Sequence, residues 1–162
     1  MTTANPASRQ QPASVSPPLP GETLGQAAGE TKTLVVIPHK CVGCRTCEVA
    51  CSFAHATAQG LGHSRIRVHP VGNERFVQVT CLQCVNAACV KACPTEALKR
   101  NTETGTIEVD YKRCIGCGLC EVACPFGHMH FDVKARQPVK CDLCGGNPAC
   151  ATFCPHGALE WR

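Results

Sequence analysis

The sequence predicts a small, loop-rich α+β fold that is built from duplicated units and held together by metal centres. Three observations lead to this expectation: sixteen cysteines in 162 residues, an aromatic content of only 4%, and short β-branched segments between the cysteines. Without its cysteines the chain is roughly a third apolar, below the usual share. Bound metal would therefore fill part of the interior and join distant segments.

Residues 1–32 form a Pro-, Ala- and Ser-rich N-terminal extension, which we separate from a second region at 33–162. Five prolines fall between Pro6 and Pro20, and no apolar periodicity accompanies them. Such a segment cannot bury enough surface to fold alone, so we expect a disordered or extended arm, or one that orders on a partner. It shows neither an apolar h-region nor a twin arginine, which favours a cytoplasmic location.

Short β-branched segments alternate with the cysteines in the second region. The predicted strands are 33–37, 65–69, 75–80, 106–110, 130–133 and 158–161. We expect short helices after the fourth cysteine of the runs, as at 94–99, where Pro94 suits a first helical turn. No apolar stretch of the sequence is long enough to span a bilayer, so we expect no direct membrane span.

The sixteen cysteines fall into four runs of four, with none left over. The runs are Cys41, Cys44, Cys47, Cys51; then Cys81, Cys84, Cys89, Cys93; then Cys114, Cys117, Cys120, Cys124; and finally Cys141, Cys144, Cys150, Cys154. Ten of fifteen positions are identical between 41–55 and 114–128, and 89–98 and 150–159 share a second pattern. Repetition of this kind predicts duplicated structural units, here cluster-binding loops.

Runs one and three have the C-x2-C-x2-C-x3-C spacing that holds [4Fe–4S] clusters, in which the fourth cysteine ligates the other cluster of a pair. Three thiolates on a tight loop can cover one face of an iron–sulfur cube. The chain then turns away, so the fourth thiolate reaches a neighbouring cube. Gly43, Gly116 and Gly118 allow the backbone to curl around the sulfur atoms.

Other uses of the cysteines fit the spacing less well. Runs two and four could each supply a zinc site in isolation, whereas runs one and three fit zinc poorly. Disulfides would need a secreted context. No Gly-rich nucleotide motif, P-loop or nucleophile elbow is present in the sequence, so we expect no catalytic residue and no flavin or nicotinamide site.

The charge balance points away from nucleic acid. The formal net charge of +4 treats every cysteine as neutral, whereas four thiolate-ligated clusters would add about −8. Lys40, Arg113 and Lys140 each precede the first cysteine of a run. We interpret this basic excess as partial compensation for the clusters, with ordinary solvated surface as the alternative.

Residues 34–162 resemble the four-cluster ferredoxin-type subunits of molybdenum and tungsten oxidoreductases, hydrogenases and carbon monoxide dehydrogenases. The resemblance rests on the four runs, on the longer middle gaps of runs two and four, and on the segments CPTEALKRNTETGTIEVDYKRCIGCGLCEVACPFG and KCDLC. It implies two ferredoxin-like βαβ units with pseudo-twofold symmetry. Runs 41–51 and 141–154 would form one unit, and runs 81–93 and 114–124 the other.

The resemblance also implies which cysteines hold each of four [4Fe–4S] clusters. Cluster 1 takes Cys41, Cys44, Cys47 and Cys154; cluster 2 takes Cys51, Cys141, Cys144 and Cys150; cluster 3 takes Cys81, Cys84, Cys89 and Cys124; cluster 4 takes Cys93, Cys114, Cys117 and Cys120. Because Cys117 is present, we expect four cubane clusters rather than a three-iron centre. For His55 and His128 we expect packing or hydrogen bonding, not ligation.

The implied function is that of a non-catalytic electron-transfer subunit in anaerobic metabolism. It would relay single electrons between a catalytic subunit and a second redox partner such as a flavoprotein. The resemblance favours a tungsten aldehyde oxidoreductase as the catalytic partner, ahead of carbon monoxide dehydrogenase, formate dehydrogenase or hydrogenase. A free polyferredoxin shuttle and a structural zinc module that binds protein or nucleic acid are the alternatives, and end-to-end self-stacking is a further expectation.

Overall fold

The computed structural model describes residues 32–162, which form a small mixed domain of short helices and short antiparallel sheets. Its strands are β1 (Leu34–Val36), β2 (Arg67–Val71), β3 (Arg75–Val79), β4 (Leu98–Arg100), β5 (Ile107–Val109), β6 (His130–Asp132), β7 (Gln137–Val139) and β8 (Leu159–Trp161). Its α-helices are α1 (Thr46–Ala54), α2 (Ala88–Lys91), α3 (Leu119–Val122) and α4 (Ala149–Thr152). This composition is consistent with the expected ferredoxin-like α+β fold. The predicted N-terminal extension lies outside the described residues, apart from Lys32.

The strands form four separate antiparallel pairs. Three are hairpins, β2–β3, β4–β5 and β6–β7, while β1 pairs with β8 and so joins the two ends of the described chain. In the β2–β3 hairpin, Val68 lies opposite Gln78, and both side chains are buried. Two-stranded hairpins are marginally stable by themselves, so the sheets depend on what packs beneath them.

The apolar side chains beneath these hairpins form clusters that all contain cysteines. The first cluster consists of Cys47, Cys51, Ile66, Val68, Cys150 and Leu159. The second consists of Ala87, Leu98, Ile107, Cys120 and Met129, and a smaller third of Cys81, Cys141 and Leu143. Helix α1 packs against α4, and α2 packs against α3. Sulfur atoms of cysteine side chains therefore make up a substantial part of the interior.

The strand predictions agree with the structure better than the helix prediction does. A strand overlaps each of the six predicted segments, with ends that differ by up to two residues. Strands β4 and β7 were not predicted. Strand β7 has Pro138 at its centre, and a proline argues against a strand in the sequence. The structure tolerates this proline because each strand of a two-stranded pair is an edge strand.

The prediction of short helices after the fourth cysteine of the runs, as at 94–99, is wrong. Helices α2, α3 and α4 end before Cys93, Cys124 and Cys154, and no helix covers 94–99. Beyond Cys93 the chain turns at Glu96, whose φ of 51° is left-handed, and then enters β4. This turn brings the main-chain N–H of Ala97 to 3.2 Å from Sγ of Cys93. A sulfur atom thus takes the place of a helical carbonyl as acceptor, which helix propensity does not anticipate.

The helices in residues 32–162 are short. The longest, α1, has nine residues. Within this described part of the chain, none combines the length and apolar character required to cross a bilayer.

Candidate metal centres

The loops of runs one and three curl through left-handed backbone conformations. Gly43 and Gly116 have φ values of 74° and 66°. Two residues later, Arg45 and Gly118 are also left-handed, with φ values of 58° and 74°, directly before α1 and α3. These turns bend each loop so that its first three cysteines surround one space, which is the role predicted for the glycines.

Each of these loops shares a cavity with one cysteine from a different run. The first cavity is lined by Cys41, Cys44, Cys47 and Cys154. The second cavity is lined by Cys93, Cys114, Cys117 and Cys120. The neighbouring lining residues also correspond between the repeats: Val42 with Ile115, Ala158 with Ala97, and Leu159 with Leu98. The structure therefore brings together two sets of four cysteines at equivalent positions.

The other eight cysteines lie in two further groups. Cys150 is close to Cys51, Cys141 and Cys144. Cys89 is close to Cys81 and Cys124, and Cys84 packs with Cys89 and Cys124 against the second apolar cluster. Cys81 and Cys141 belong to one buried cluster, so these two groups adjoin.

Burial makes the thiolate form of several cysteines costly in the protein alone. It raises the pKa of Cys47, Cys120 and Cys141 to about 11. Burial, followed by the negative charges of neighbouring cysteines, raises the pKa of Cys150 to about 12. Crowded sulfur atoms of this kind hold protons until a metal cation displaces them, and soft sulfur donors suit iron–sulfur clusters and zinc.

Main-chain N–H groups point at the fourth cysteine of all four runs, including that of Arg65 at Cys51. Ala97 donates to Sγ of Cys93 at 3.2 Å, and Ala158 donates to Sγ of Cys154 at 3.3 Å. At Cys124 burial would raise the pKa, but several main-chain N–H groups outweigh it and lower the pKa below its ordinary value. Donors of this type favour the charged sulfur, and they tune the potential of a bound cluster.

Cys51 is held by a network of charged residues that links run one to run four. The main-chain N–H of Arg65 donates to Sγ of Cys51 at 3.2 Å, and its guanidinium pairs with Asp142. Asp142 also accepts the N–H of Cys144 at 3.0 Å and lies 3.1 Å from Nε2 of His55. Nδ1 of His55 is 2.8 Å from the carbonyl oxygen of Cys51. His55 thus has the hydrogen-bonding role that was predicted for it.

The same network explains a group of atoms that resembles a separate metal site. His55, Asp142 and Cys144 each place a ligand atom within 4.8 Å of the others. The carboxylate is already bonded to Arg65, whose positive charge disfavours a second cation beside it. Although burial alone would raise the pKa of Asp142, the Arg65 guanidinium holds it below its ordinary value. Sequence reasoning missed Arg65 and Asp142 because no motif joins them.

One buried polar side chain borders the first cavity. Gln78 is 6% exposed, and its Oε1 has no hydrogen-bond partner among the described residues. An amide oxygen is an acceptor that needs a hydrogen-bond donor, and the sulfur atoms of a cluster do not supply one. The sulfur donors and the main-chain N–H groups, rather than this amide, fit an iron–sulfur cluster better than they fit an apolar interior.

Short hairpins that carry curled cysteine loops define a ferredoxin-type electron-transfer protein. The family described as 4Fe-4S dicluster domain matches residues 73–162, and the family described as 4Fe-4S binding domain matches residues 38–54. The chain belongs to the 4Fe-4S dicluster domain family.

Several relatives are named as electron carriers. The chain is 43% identical over 140 residues to the aliphatic sulfonate oxidoreductase polyferredoxin-like subunit of Pyrococcus furiosus, covering 85% of this chain and 81% of the relative. It is 35% identical over 136 residues to the thiosulfate reductase electron transfer subunit PhsB of Salmonella typhi, covering 75% and 70%. It is also 36% identical over 144 residues to the electron transport protein HydN of Escherichia coli K12, covering 74% and 81%.

Proposed function

We propose that this protein holds four [4Fe–4S] clusters and relays single electrons as a non-catalytic subunit of an oxidoreductase complex. The observation that carries the proposal is the pair of cavities that are each lined by four cysteines from two runs. When bound, such clusters supply one-electron redox chemistry. The contribution of the chain is to hold them, to exclude water from the buried sulfur atoms and to direct N–H groups at those atoms.

The proposed ligation is crossed between runs. Cys154 completes the set of Cys41, Cys44 and Cys47, and Cys93 completes the set of Cys114, Cys117 and Cys120. Cys51 completes the set of Cys141, Cys144 and Cys150, and Cys124 completes the set of Cys81, Cys84 and Cys89. The shared cavities support the first two sets. The closeness of Cys51 to Cys150 and of Cys124 to Cys89 supports the others. The count of four rests on sixteen cysteines that divide into four complete sets.

We further propose that residues 33–162 comprise two ferredoxin-like units with pseudo-twofold symmetry. Packing of α1 on α4 and pairing of β1 with β8 support one unit, which is built from 41–51 and 141–154. Packing of α2 on α3 supports the other, which is built from 81–93 and 114–124. The correspondence between the residues that line the two cavities supports the symmetry.

Contacts between the cysteine sets support a linear order of clusters. Cys47 of the first set lies close to Cys150 of the second. Cys141 of the second set adjoins Cys81 of the third. Cysteines of the third and fourth sets pack against one apolar cluster. Cys44 and Cys117, in the two terminal sets, are exposed, which suits electron entry at one end and exit at the other.

The partners that we propose are a catalytic oxidoreductase subunit and a second donor or acceptor such as a flavoprotein. The names of the Pyrococcus and Salmonella relatives, which are subunits of oxidoreductases, support the first partner. A tungsten aldehyde oxidoreductase is our first choice on family resemblance, ahead of carbon monoxide dehydrogenase, formate dehydrogenase and hydrogenase. We place the complex in the cytoplasm, with end-to-end stacking of this subunit as a further proposal.

Anaerobic purification of the native protein tests the subunit role. We expect a brown chain that co-elutes in gel filtration with a larger subunit containing tungsten or molybdenum. Addition of the substrate of that subunit should produce the electron paramagnetic resonance signal of reduced clusters. A chain that elutes alone with full iron would instead identify a free shuttle. A colourless chain containing zinc and no iron would contradict electron transfer altogether.

A further inference from the structure

Three basic residues precede the first cysteine of a run, and the structure separates one of them from the other two. The side chain of Lys40 is 44% exposed and pairs with Glu160 at 3.5 Å. The side chain of Arg113 is 45% exposed and pairs with Glu96 at 3.6 Å. Lys140 is only 3% exposed. Equivalent positions in the sequence therefore have different environments.

The Lys140 ammonium has three hydrogen-bond acceptors within reach. Nζ lies 3.4 Å from Sγ of Cys81, 3.2 Å from Oε1 of Gln83 and 2.9 Å from the carbonyl oxygen of Cys141. An ammonium group has three protons to donate, so these contacts satisfy all of them. Among residues 32–162, no carboxylate lies within salt-bridge distance of Nζ. The partner that can balance its charge is therefore the sulfur of Cys81.

Gln83 fixes the ammonium between runs two and four. Its Nε2 donates to the carbonyl oxygen of Cys141 at 3.0 Å, while its Oε1 accepts the main-chain N–H of Ile107 at 2.9 Å as well as Lys140. The carbonyl oxygen of Cys141 thus receives hydrogen bonds from both side chains. This arrangement holds a positive charge at the point where the second and third sets of cysteines adjoin.

A buried charge acts strongly because little water screens it. The Coulomb energy between two charges rises as the surrounding dielectric falls, and salt screens buried pairs much less than exposed ones. A bound cluster becomes one unit more negative on reduction, so a fixed cation beside it favours the reduced form.

We propose that Lys140 is a charge that sets redox potential at the centre of the electron path. It raises the reduction potential of the cluster held by Cys81, Cys84, Cys89 and Cys124, and to a smaller extent that of the cluster held by Cys141. Each reduction adds one electron and involves no proton from Lys140. This inference rests on the proposed four-cluster function, and it assigns different roles to Lys140 and to its exposed counterparts.

Redox titration of the purified holoprotein tests this role. Dithionite would reduce the clusters in the presence of mediators, and electron paramagnetic resonance would follow them. Lys140→Gln places an amide donor at this position but removes the charge. Lys40→Gln is the matched control at an exposed position. We expect Lys140→Gln to keep its iron. One or two of its midpoint potentials should fall by about 59 mV, which is a tenfold change in the equilibrium of a one-electron reduction. Lys40→Gln should leave all midpoint potentials unchanged. Lys140→Arg, which keeps the positive charge, should have the midpoint potentials of the wild type.

Unchanged midpoints in Lys140→Gln with full iron, or an equal shift in Lys40→Gln, would overturn the proposal. If Lys140→Gln loses iron, the Lys140→Arg variant decides whether the charge of Lys140 or only its packing is required. Full iron and wild-type midpoints in the arginine variant would support a required cation. Lowered midpoints, or loss of iron in both variants, would leave only a packing role and overturn the proposal. A wild-type protein with far fewer than about sixteen irons would instead contradict the four-cluster function itself.

Discussion

The main-chain N–H of Arg65 lies 3.2 Å from Sγ of Cys51, fourteen residues away in the chain. The side-chain guanidinium of Arg65 pairs with Asp142, which belongs to run four. Cys51 is also close to Cys144 and Cys150 of that run. The last cysteine of run one therefore lies beside the cysteines of run four.

The first prediction concerns the ligation of Cys51. Cys51→Ala should damage the cluster led by Cys141 and leave the cluster led by Cys41 largely intact, because the lost sulfur belongs to the former set. Cys47→Ala, one helical turn earlier in α1, is the matched control and should do the reverse. Mössbauer and electron paramagnetic resonance spectra of the two variants would show which cluster is lost. If Cys51→Ala chiefly removes the cluster led by Cys41, crossed ligation is incorrect.

The second prediction concerns the network around Asp142. Asp142→Ala removes the carboxylate that Arg65, His55 and the Cys144 N–H share. We therefore expect the free energy of unfolding to fall by about 1–2 kcal/mol, after allowance for solvent screening. Thermal bleaching of the visible absorbance would measure it as a lower midpoint. Glu160→Ala breaks only exposed ion pairs and should cost about 0.5 kcal/mol or less. Equal losses in the two variants would show that the network adds nothing specific.

The third prediction compares two glycines with the same backbone conformation. Gly43 and Gly118 both have φ of 74°, so alanine should cost about 1–2 kcal/mol of strain at either position. A Cβ at Gly43 would also lie 2.6 Å from the ring of Phe76, whereas none of the described residues comes within 4 Å of a Cβ at Gly118. Gly43→Ala should therefore cost about 1–3 kcal/mol more than Gly118→Ala.

Chemical denaturation of the holoproteins, followed by visible absorbance, would compare the two glycine variants. Greater damage from Gly118→Ala would contradict this account of the run-one loop.

The fourth prediction concerns pH. Burial, together with the positive charge of Arg67 and neighbouring His63, lowers the pKa of His130 from 6.5 to about 4. The unfolded chain then takes up a proton below about pH 6.5 that the folded chain refuses until about pH 4, so this contribution to stability is complete above pH 6.5 and is lost as the pH falls toward 4. His130→Phe should lose less thermal stability than the wild type between pH 7 and pH 5.

Differential scanning fluorimetry under anaerobic conditions would follow the pH dependence. His69→Phe, at an exposed position of β2, is the control and should retain the wild-type pH dependence. An unaltered pH dependence in His130→Phe would show that this histidine does not couple protonation to folding.

Much of the fold followed from residues whose conformational demands are local. Gly43 and Gly116 are left-handed where the loops must curl, and the β-branched segment of β1 forms a strand. The helix at 94–99 failed for a non-local reason. Its predicted first turn is bent by a hydrogen bond to Sγ of Cys93 and by pairing of β4 with β5.

In the candidate sites too, features that depend on neighbouring residues could be predicted, whereas contacts between distant residues could not. The cysteine spacing alone predicted the sulfur donors that we propose, because a loop of three cysteines is a local feature. The environment of Lys140 could not be predicted, since Lys40 and Arg113 occupy the same position before a run and are exposed. Its burial depends on Cys81 and Gln83, which lie 59 and 57 residues away in the chain.

The central claim is that sixteen cysteines hold four [4Fe–4S] clusters. Iron and acid-labile sulfide should be measured on protein purified without oxygen, with the protein concentration taken from amino-acid analysis. We predict about sixteen iron and sixteen sulfide per chain, with Mössbauer parameters of cubane clusters throughout. A chain with about eight or fewer irons, or with zinc in place of iron, would contradict the claim.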